Sequence, residues 1–245
     1  MTEWKVLNVN EETGKIDIVP SAQTTGKVTL QGAMGYNNAV YLLNDACSNL
    51  YSDSTKGITA RSINMDDIEN AMKEAGNESE IVEPIQTDRE YTVNYKYPVI
   101  YSQEKLSVVN SNGILGLSEQ AKLIERSEGT STESYIGAIT DSSSLIKPYQ
   151  TKYNKSIITL LGNKENIILP NTDSTKYWIA SRCIETSYSS CDFFVRGMSN
   201  GWLNSYIVFY SNNNVYKGSL GLFPVVTLDS ELLTAEGESE FRVIE

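Results

Sequence analysis

Trp4-Lys5-Val6-Leu7-Asn8-Val9 and Lys15-Ile16-Asp17-Ile18-Val19 alternate between apolar and polar positions as half-buried strands do. The turn-forming residues from Asn10 to Gly14 join them into an opening hairpin. After Val28-Thr29-Leu30 and two glycines expected to be flexible, Gly32 and Gly35, the period changes. Tyr36, Ala39, Val40, Leu43, Ala46, Cys47 and Leu50 recur close to the helical period, which predicts an amphipathic helix. A second helix is predicted from about Met65 to Ala75, with Asn64 or Ser62 as cap and Gly76 as stop. Asp66 and Asp67 suit the positive end of its dipole, and its apolar side is Ile68, Ala71, Met72 and Ala75.

The pattern then weakens. Gly76 to Glu90 is acidic with little apolar period and reads as a solvated connection. Tyr91 to Tyr101 carries four tyrosines around Pro98, as an edge strand or extended loop would. Ser127 to Ser144, rich in Ser, Thr and Gly, is expected to be a surface excursion, and residues 76–150 together a loop-rich insertion. Lys155 to Leu161 is apolar but too short to separate helix from strand. Glu231 to Glu245 reads as an acidic terminal strand or tail.

Two apolar runs late in the chain, Tyr177-Trp178-Ile179-Ala180-Ser181-Arg182 and Leu222-Phe223-Pro224-Val225-Val226-Thr227-Leu228, have the aromatic and β-branched composition of buried strands. Between them, residues 187–217 are about half Ser, Asn and Tyr, with Asp192, Arg196 and Lys217 as the only formal charges. Antibody binding loops share this composition. Tyr and Trp offer large amphipathic contact area at little rotamer cost, and Ser, Asn and Gly adapt their hydrogen bonding. The candidate ligand-binding residues are therefore Tyr188, Ser190, Asp192, Ser199, Asn200, Trp202, Asn204, Tyr206, Tyr210, Asn212, Asn214 and Tyr216. The same composition also suits ordinary turns and half-buried strands, and Asp192-Phe193-Phe194-Val195-Arg196 and Tyr206-Ile207-Val208-Phe209-Tyr210 read as such strands. Both readings stand at this point.

Composition narrows the chemistry. Acidic residues outnumber Lys and Arg 31 to 20, a formal charge of −11 that opposes binding to nucleic acid or anionic lipid. No apolar run approaches the roughly 20 residues of a membrane helix, and the Met1 region lacks a basic-then-apolar signal peptide. With no histidine, the usual base-assisted Ser or Cys nucleophiles are excluded. Three cysteines are too few for an all-thiolate zinc site. Cys47 falls in the helical apolar pattern as a small buried hydrophobe. Cys183 and Cys191 flank a loop and would staple a hairpin if they faced each other in an oxidising compartment. Asp192 with Asn212, Asn213 and Asn214 is the best grouping of oxygen ligands for calcium, but it falls short of a specific loop. No cofactor, metal or catalytic residue is expected.

Glu3-Trp4-Lys5-Val6-Leu7, Gly35-Tyr36-Asn37-Asn38-Ala39-Val40 and the pair Tyr177–Arg182 and Phe223–Leu228 resemble, in this order, the C-type-lectin-like domains of prophage and gut-bacterial proteins. The likeness is to the formylglycine-generating-enzyme-like branch, whose closing strand often reads R-P-V-V-x-L; here Phe223 stands in place of the arginine. The resemblance implies a single α+β domain over residues 1–245, with small mixed or antiparallel sheets, two helices in the N-terminal half and long loops. It also implies a mechanism for the Ser/Asn/Tyr-rich stretch. In variable proteins of diversity-generating retroelements, template adenines are randomised and the altered codons fall on the exposed face of this fold. Asn codons changed at their adenines yield Ser, Tyr, Asp, Gly, Phe or Val, the set that dominates residues 187–217.

The expected function is non-enzymatic recognition of a protein or glycan receptor on a host cell surface, by a phage or prophage receptor-binding protein or a surface adhesin. The location would be a virion or the extracellular face of a cell. A homo-oligomer would add avidity. One alternative is a structural virion protein that binds other virion subunits; another is a formylglycine-generating-type oxidase, which requires Cys183 and Cys191 to sit close together.

Overall fold

The computed structural model describes residues 3–81, 92–96, 99–101, 114–116, 123–125, 130–134, 138–139, 149–150, 155–170, 175–186, 191–210, 216–235 and 241–243. Within these it describes backbone alone for 31–34, 37–38, 41, 92–155, 184–193, 207–210 and beyond 233. The architecture is mixed α+β, dominated by sheet.

Strands β1 (Trp4–Asn10) and β2 (Lys15–Pro20) form the expected hairpin, with Gly14 at φ 65° in the turn. A register shift between Val6 and Asn8 interrupts their alternation, and Leu7 at that bulge is buried. Next come β3 (Lys27–Gln31), α1 (Gly32–Tyr51), β4 (Thr59–Ser62) and α2 (Met65–Glu74). Helix α1 starts earlier than its apolar period indicates, because Gly32 and Gly35 lie inside it. Gly35 has a packing reason to be glycine: a Cβ there would come within 2.9 Å of the Leu30 carbonyl carbon.

Helix α2 closely matches its expected bounds. Asn64 and Asp67 form a reciprocal capping box, and the Ser181 hydroxyl accepts from the Met65 amide at 3.0 Å, so one cap comes from a distant strand. Asp67 also takes the Arg61 guanidinium through two bonds of 2.6 and 2.7 Å, tying β4 to the start of the helix. Gly76, at φ 76°, ends the helix as expected.

In the weakly patterned region the described backbone forms short strands: β5 (Thr92–Lys96), β6 (Val99–Tyr101), β7 (Ile114–Gly116), β8 (Leu123–Glu125), β9 (Thr130–Ser134), β10 (Ala138–Ile139), β11 (Tyr149–Gln150) and β12 (Lys155–Ser156). Strand β9 pairs with both β5 and β10, so the 127–144 stretch, expected as a surface excursion, contributes to a three-stranded sheet. After β12 the undecided apolar segment forms a 3-10 turn, Ile158–Leu160, with Ile157 and Leu161 buried on either side. A short helix α3 (Glu165–Ile168) follows.

The remaining strands are β13 (Lys176–Thr186), β14 (Cys191–Ser199), β15 (Trp202–Tyr210), β16 (Lys217–Gly221), β17 (Pro224–Asp229), β18 (Leu233–Ala235) and β19 (Phe241–Val243). The acidic end of the chain therefore forms an antiparallel pair, β18 with β19. One antiparallel sheet has the order β1-β2-β17-β4, so the Trp4 strand and the Pro224–Asp229 strand share a sheet. A larger mixed sheet runs β12-β15-β14-β13-β16-β3-β7, with β11 beside β13.

From Tyr177 to Cys183, strand β13 is buried on both faces. Trp178 and Ala180 join α1, Val28 and Leu30 in one apolar cluster; Tyr177 and Ile179 join α2, Ile63 and Phe223 in another. Trp178 Nε1 donates to the Val28 carbonyl at 2.8 Å, and Tyr177 stacks on Phe223 at 4.5 Å between ring centroids. Ile63 links the two sheets, its amide donating to the Phe223 carbonyl and its carbonyl accepting from the Ala180 amide. No helix among the described residues is long and apolar enough to cross a membrane.

Candidate functional site

Strands β14 and β15 are joined by Asn200-Gly201 alone, with φ of 52° and 75°. Two consecutive left-handed residues make the tight turn whose twist matches a β-hairpin, and Asn-Gly is its preferred sequence. The Asn200 amide donates to the Thr175 carbonyl at 2.8 Å, pinning the turn to the start of β13. Asn200, expected as a contact residue, thus has a structural reason to be where it is. The Asn-Gly signal for this hairpin is strong, and reading the stretch as loops and separate strands missed it.

The register decides which side chains share a face. Ser199 pairs with Trp202, Gly197 with Asn204 and Val195 with Tyr206, all on the α1 side of the sheet. Met198 with Leu203 and Arg196 with Ser205 point to the other side. Arg196 is fully buried there, its guanidinium donating to Ser205 Oγ at 2.6 Å. A charge that had seemed part of the binding stretch is therefore withdrawn from its surface.

Four expected contact residues come together on the α1 side. Trp202, beside the turn, is half exposed, at 50%. Asn204 donates its side-chain amide to the Trp202 carbonyl at 3.0 Å, which fixes its orientation. The Ser199 hydroxyl hydrogen-bonds the Tyr206 phenol. Tyr206 departs from the expectation of an exposed anchor. Its ring packs edge-on against Trp178, 5.3 Å between centroids at 75°, and joins the α1 core. Burial raises its phenol above the ordinary tyrosine pKa, and the Ser199 bond offsets part of that rise. The reason is cover: strand alternation puts 202, 204 and 206 on one face, but position 206 lies over the apolar cluster while 202 lies out by the turn.

Tyr216 is also exposed, at 46%, just before β16. Strand β16 runs parallel to β13 with Gly221 beside Tyr177, so Tyr216 lies at the end of the sheet where β13 begins and the Asn200-Gly201 turn sits. Asp192 and Tyr210 pair with each other at the opposite end of the hairpin. Tyr188, Ser190, Asn212 and Asn214 lie outside the described residues, as does Asn213 of the calcium grouping. Among the described residues, no cluster of three metal-ligating side chains occurs.

The cysteine expectation is corrected. Cys183 pairs with Phe194 and Cys191 with Thr186, three rungs apart, or roughly 10 Å along the strands. Disulfides need Cα atoms within about 7 Å, so these two cannot staple the hairpin. Cys183 instead keeps a buried thiol 3.5 Å from Ser205 Oγ. The same separation removes the cysteine pair on which an oxidase reading depended. Cys47 is buried as expected, and burial raises its thiol well above the usual range.

A second, polar depression of about 210 Å³ lies between α2 and the first hairpin, bordered by Leu7, Asn8, Asp17, Asp67, Asn70, Lys73, Glu74 and Lys164. Its charges largely answer one another: Lys164 pairs with Glu74 at 2.6 Å and Asp67 with Arg61. No protein-family model, curated protein or solved structure matches the chain.

Proposed function

We propose that this chain is a non-enzymatic recognition protein on a C-type-lectin-like scaffold, serving as the receptor-binding protein of a phage or prophage or as a surface adhesin. Its binding surface is the α1 side of the β14–β15 hairpin near the Asn200-Gly201 turn, with Tyr216 at the same end of the sheet. The observation that carries this reading is Trp202. A half-exposed indole on a rigid two-residue hairpin, with an oriented amide and a hydroxyl beside it, is an anchor of the kind that dominates binding energy. The burial of Arg196 on the far side supports it, since on this side the hairpin rungs from Val195–Tyr206 to Ser199–Trp202 carry only neutral groups, of the kind that adapt to many partners. Exposed positions on such a scaffold tolerate change, which suits a surface diversified through adenine-bearing codons.

The test is binding of labelled protein to a panel of intact bacterial cells. Trp202→Ala should weaken binding by about 2 kcal/mol, roughly thirty-fold, and Tyr216→Ala by less. Unchanged binding by a folded Trp202→Ala protein, or no binding by the wild type to any strain, sinks the reading. A near-copy of the codons for 187–217, differing at adenines and lying beside a reverse transcriptase, would show the diversification independently.

A further inference from the structure

We propose that Gly197 is a positioning residue of this surface: lacking a side chain, it seats the Tyr206 ring edge-on against Trp178, and the seated ring shapes the surface beside Trp202. The inference rests on the reading that this face binds a ligand, and it deepens that reading.

Tyr206 pairs across the strands with Val195, yet its ring leans two residues toward the turn and lies over Gly197. A Cβ at position 197 would stand 2.7 Å from Tyr206 Cε2, 3.0 Å from Cδ2 and 2.9 Å from Leu220 Cδ1. Real Cβ atoms do not approach so closely, so the ring occupies this place because position 197 is bare. Beneath it the support is rigid. The Trp178 indole is fixed by its hydrogen bond to Val28, and it lies so close to Gly218 that a Cβ there would meet Cη2 at 2.7 Å. Above it, the Tyr206 phenol reaches Ser199, the register partner of Trp202. Bare Gly218 thus admits the indole, the indole and bare Gly197 together seat the phenol ring, and the phenol meets the rung that carries the exposed tryptophan.

The two glycines differ in what a methyl would displace. At Gly197 the clashing atoms are the outer ends of Tyr206 and Leu220, which can swing away, so Gly197→Ala is expected to fold with Tyr206 lifted from its seat. This separates shape from stability.

The experiment uses the whole chain with ring-labelled tyrosine, followed by NMR through a pH titration, with Tyr206→Phe to assign the signal. In Gly197→Ala the Tyr206 phenol should titrate closer to the ordinary tyrosine value than in the wild type. Binding to the same panel of bacterial cells should fall at least ten-fold, while thermal unfolding stays cooperative. An unchanged Tyr206 titration overturns the seat. Wild-type binding by Gly197→Ala, when Trp202→Ala has lost it, overturns the role of the seat in recognition. Wild-type binding by Trp202→Ala sinks the reading of the face itself, and the recognition half of this inference with it. If Gly197→Ala does not fold, Tyr206→Leu replaces it. That variant covers Gly197 without a ring and should also bind at least ten-fold more weakly; retained binding overturns the proposal.

Discussion

Trp178 and Trp202 sit on neighbouring parts of one sheet and show how differently it treats the same residue type. Strand β13 is covered on both faces, so Trp178 is fully buried, its indole nitrogen satisfied by Val28. Trp202 follows a two-residue turn at the end of the hairpin and stays half exposed. Cover, set by which elements stack on each rung, separates scaffold from surface here. Tyr206 lies between these extremes, with its ring on the core and its phenol near the turn.

The contrast breaks most visibly at the buried end. Trp178→Ala or Phe223→Ala should cost about 3–5 kcal/mol, read by denaturant unfolding, because each leaves a cavity between packed layers. A loss below about 1 kcal/mol at both positions would show that β13 is not the scaffold described. Gly218→Ala should come next, at about 2 kcal/mol, because its Cβ would meet an indole that is hydrogen-bonded in place and cannot swing aside. It should thus destabilise more than Gly197→Ala, and the reverse order in paired thermal melts would contradict the different mobility of the two neighbours.

Alkaline pH tests the buried tyrosines. Tyr177 is buried and donates its hydroxyl to the Ile168 carbonyl at 2.8 Å, and burial raises its pKa well above the ordinary value of about 10, as it does to a lesser extent for Tyr206. A folded pKa above the unfolded one means stability is fully present below about pH 10. It then falls as the unfolded chain ionises, at about 1.4 kcal/mol per pH unit for one such group, until the folded pKa is reached. Tyr177→Phe should flatten that slope relative to the wild type; equal slopes in the two proteins would refute the assignment. The smallest effect belongs to the exposed end. Trp202→Ala and Tyr216→Ala should change stability by no more than about 0.5 kcal/mol, and a larger loss in either would mean that the residue belongs to the core.

Local patterns that need no partner were legible in the chain. The first hairpin, the period of α1, the cap and stop of α2 and the burial of Tyr177–Arg182 and Phe223–Leu228 follow from alternation, helical spacing and capping chemistry within a few residues. The Asn-Gly turn belongs with them, because two residues that favour a left-handed backbone mark a hairpin without any partner.

What only the tertiary structure decided depends on register and on cover from distant segments. Which of Trp202, Asn204 and Tyr206 faces outward cannot be read from composition, because all three share a face and differ only in what lies above each rung. Arg196 looks like a surface charge until pairing with Ser205 turns it to the far side. Cys183 and Cys191 look like partners until the register holds them three rungs apart. Gly35 looks like a flexible link, and Gly197 and Gly218 carry no signal of their own, yet each is small because another group approaches it: Leu30, the Tyr206 ring and the Trp178 indole. Such approaches join residues far apart in sequence, so their physical cause exists only once the layers have packed.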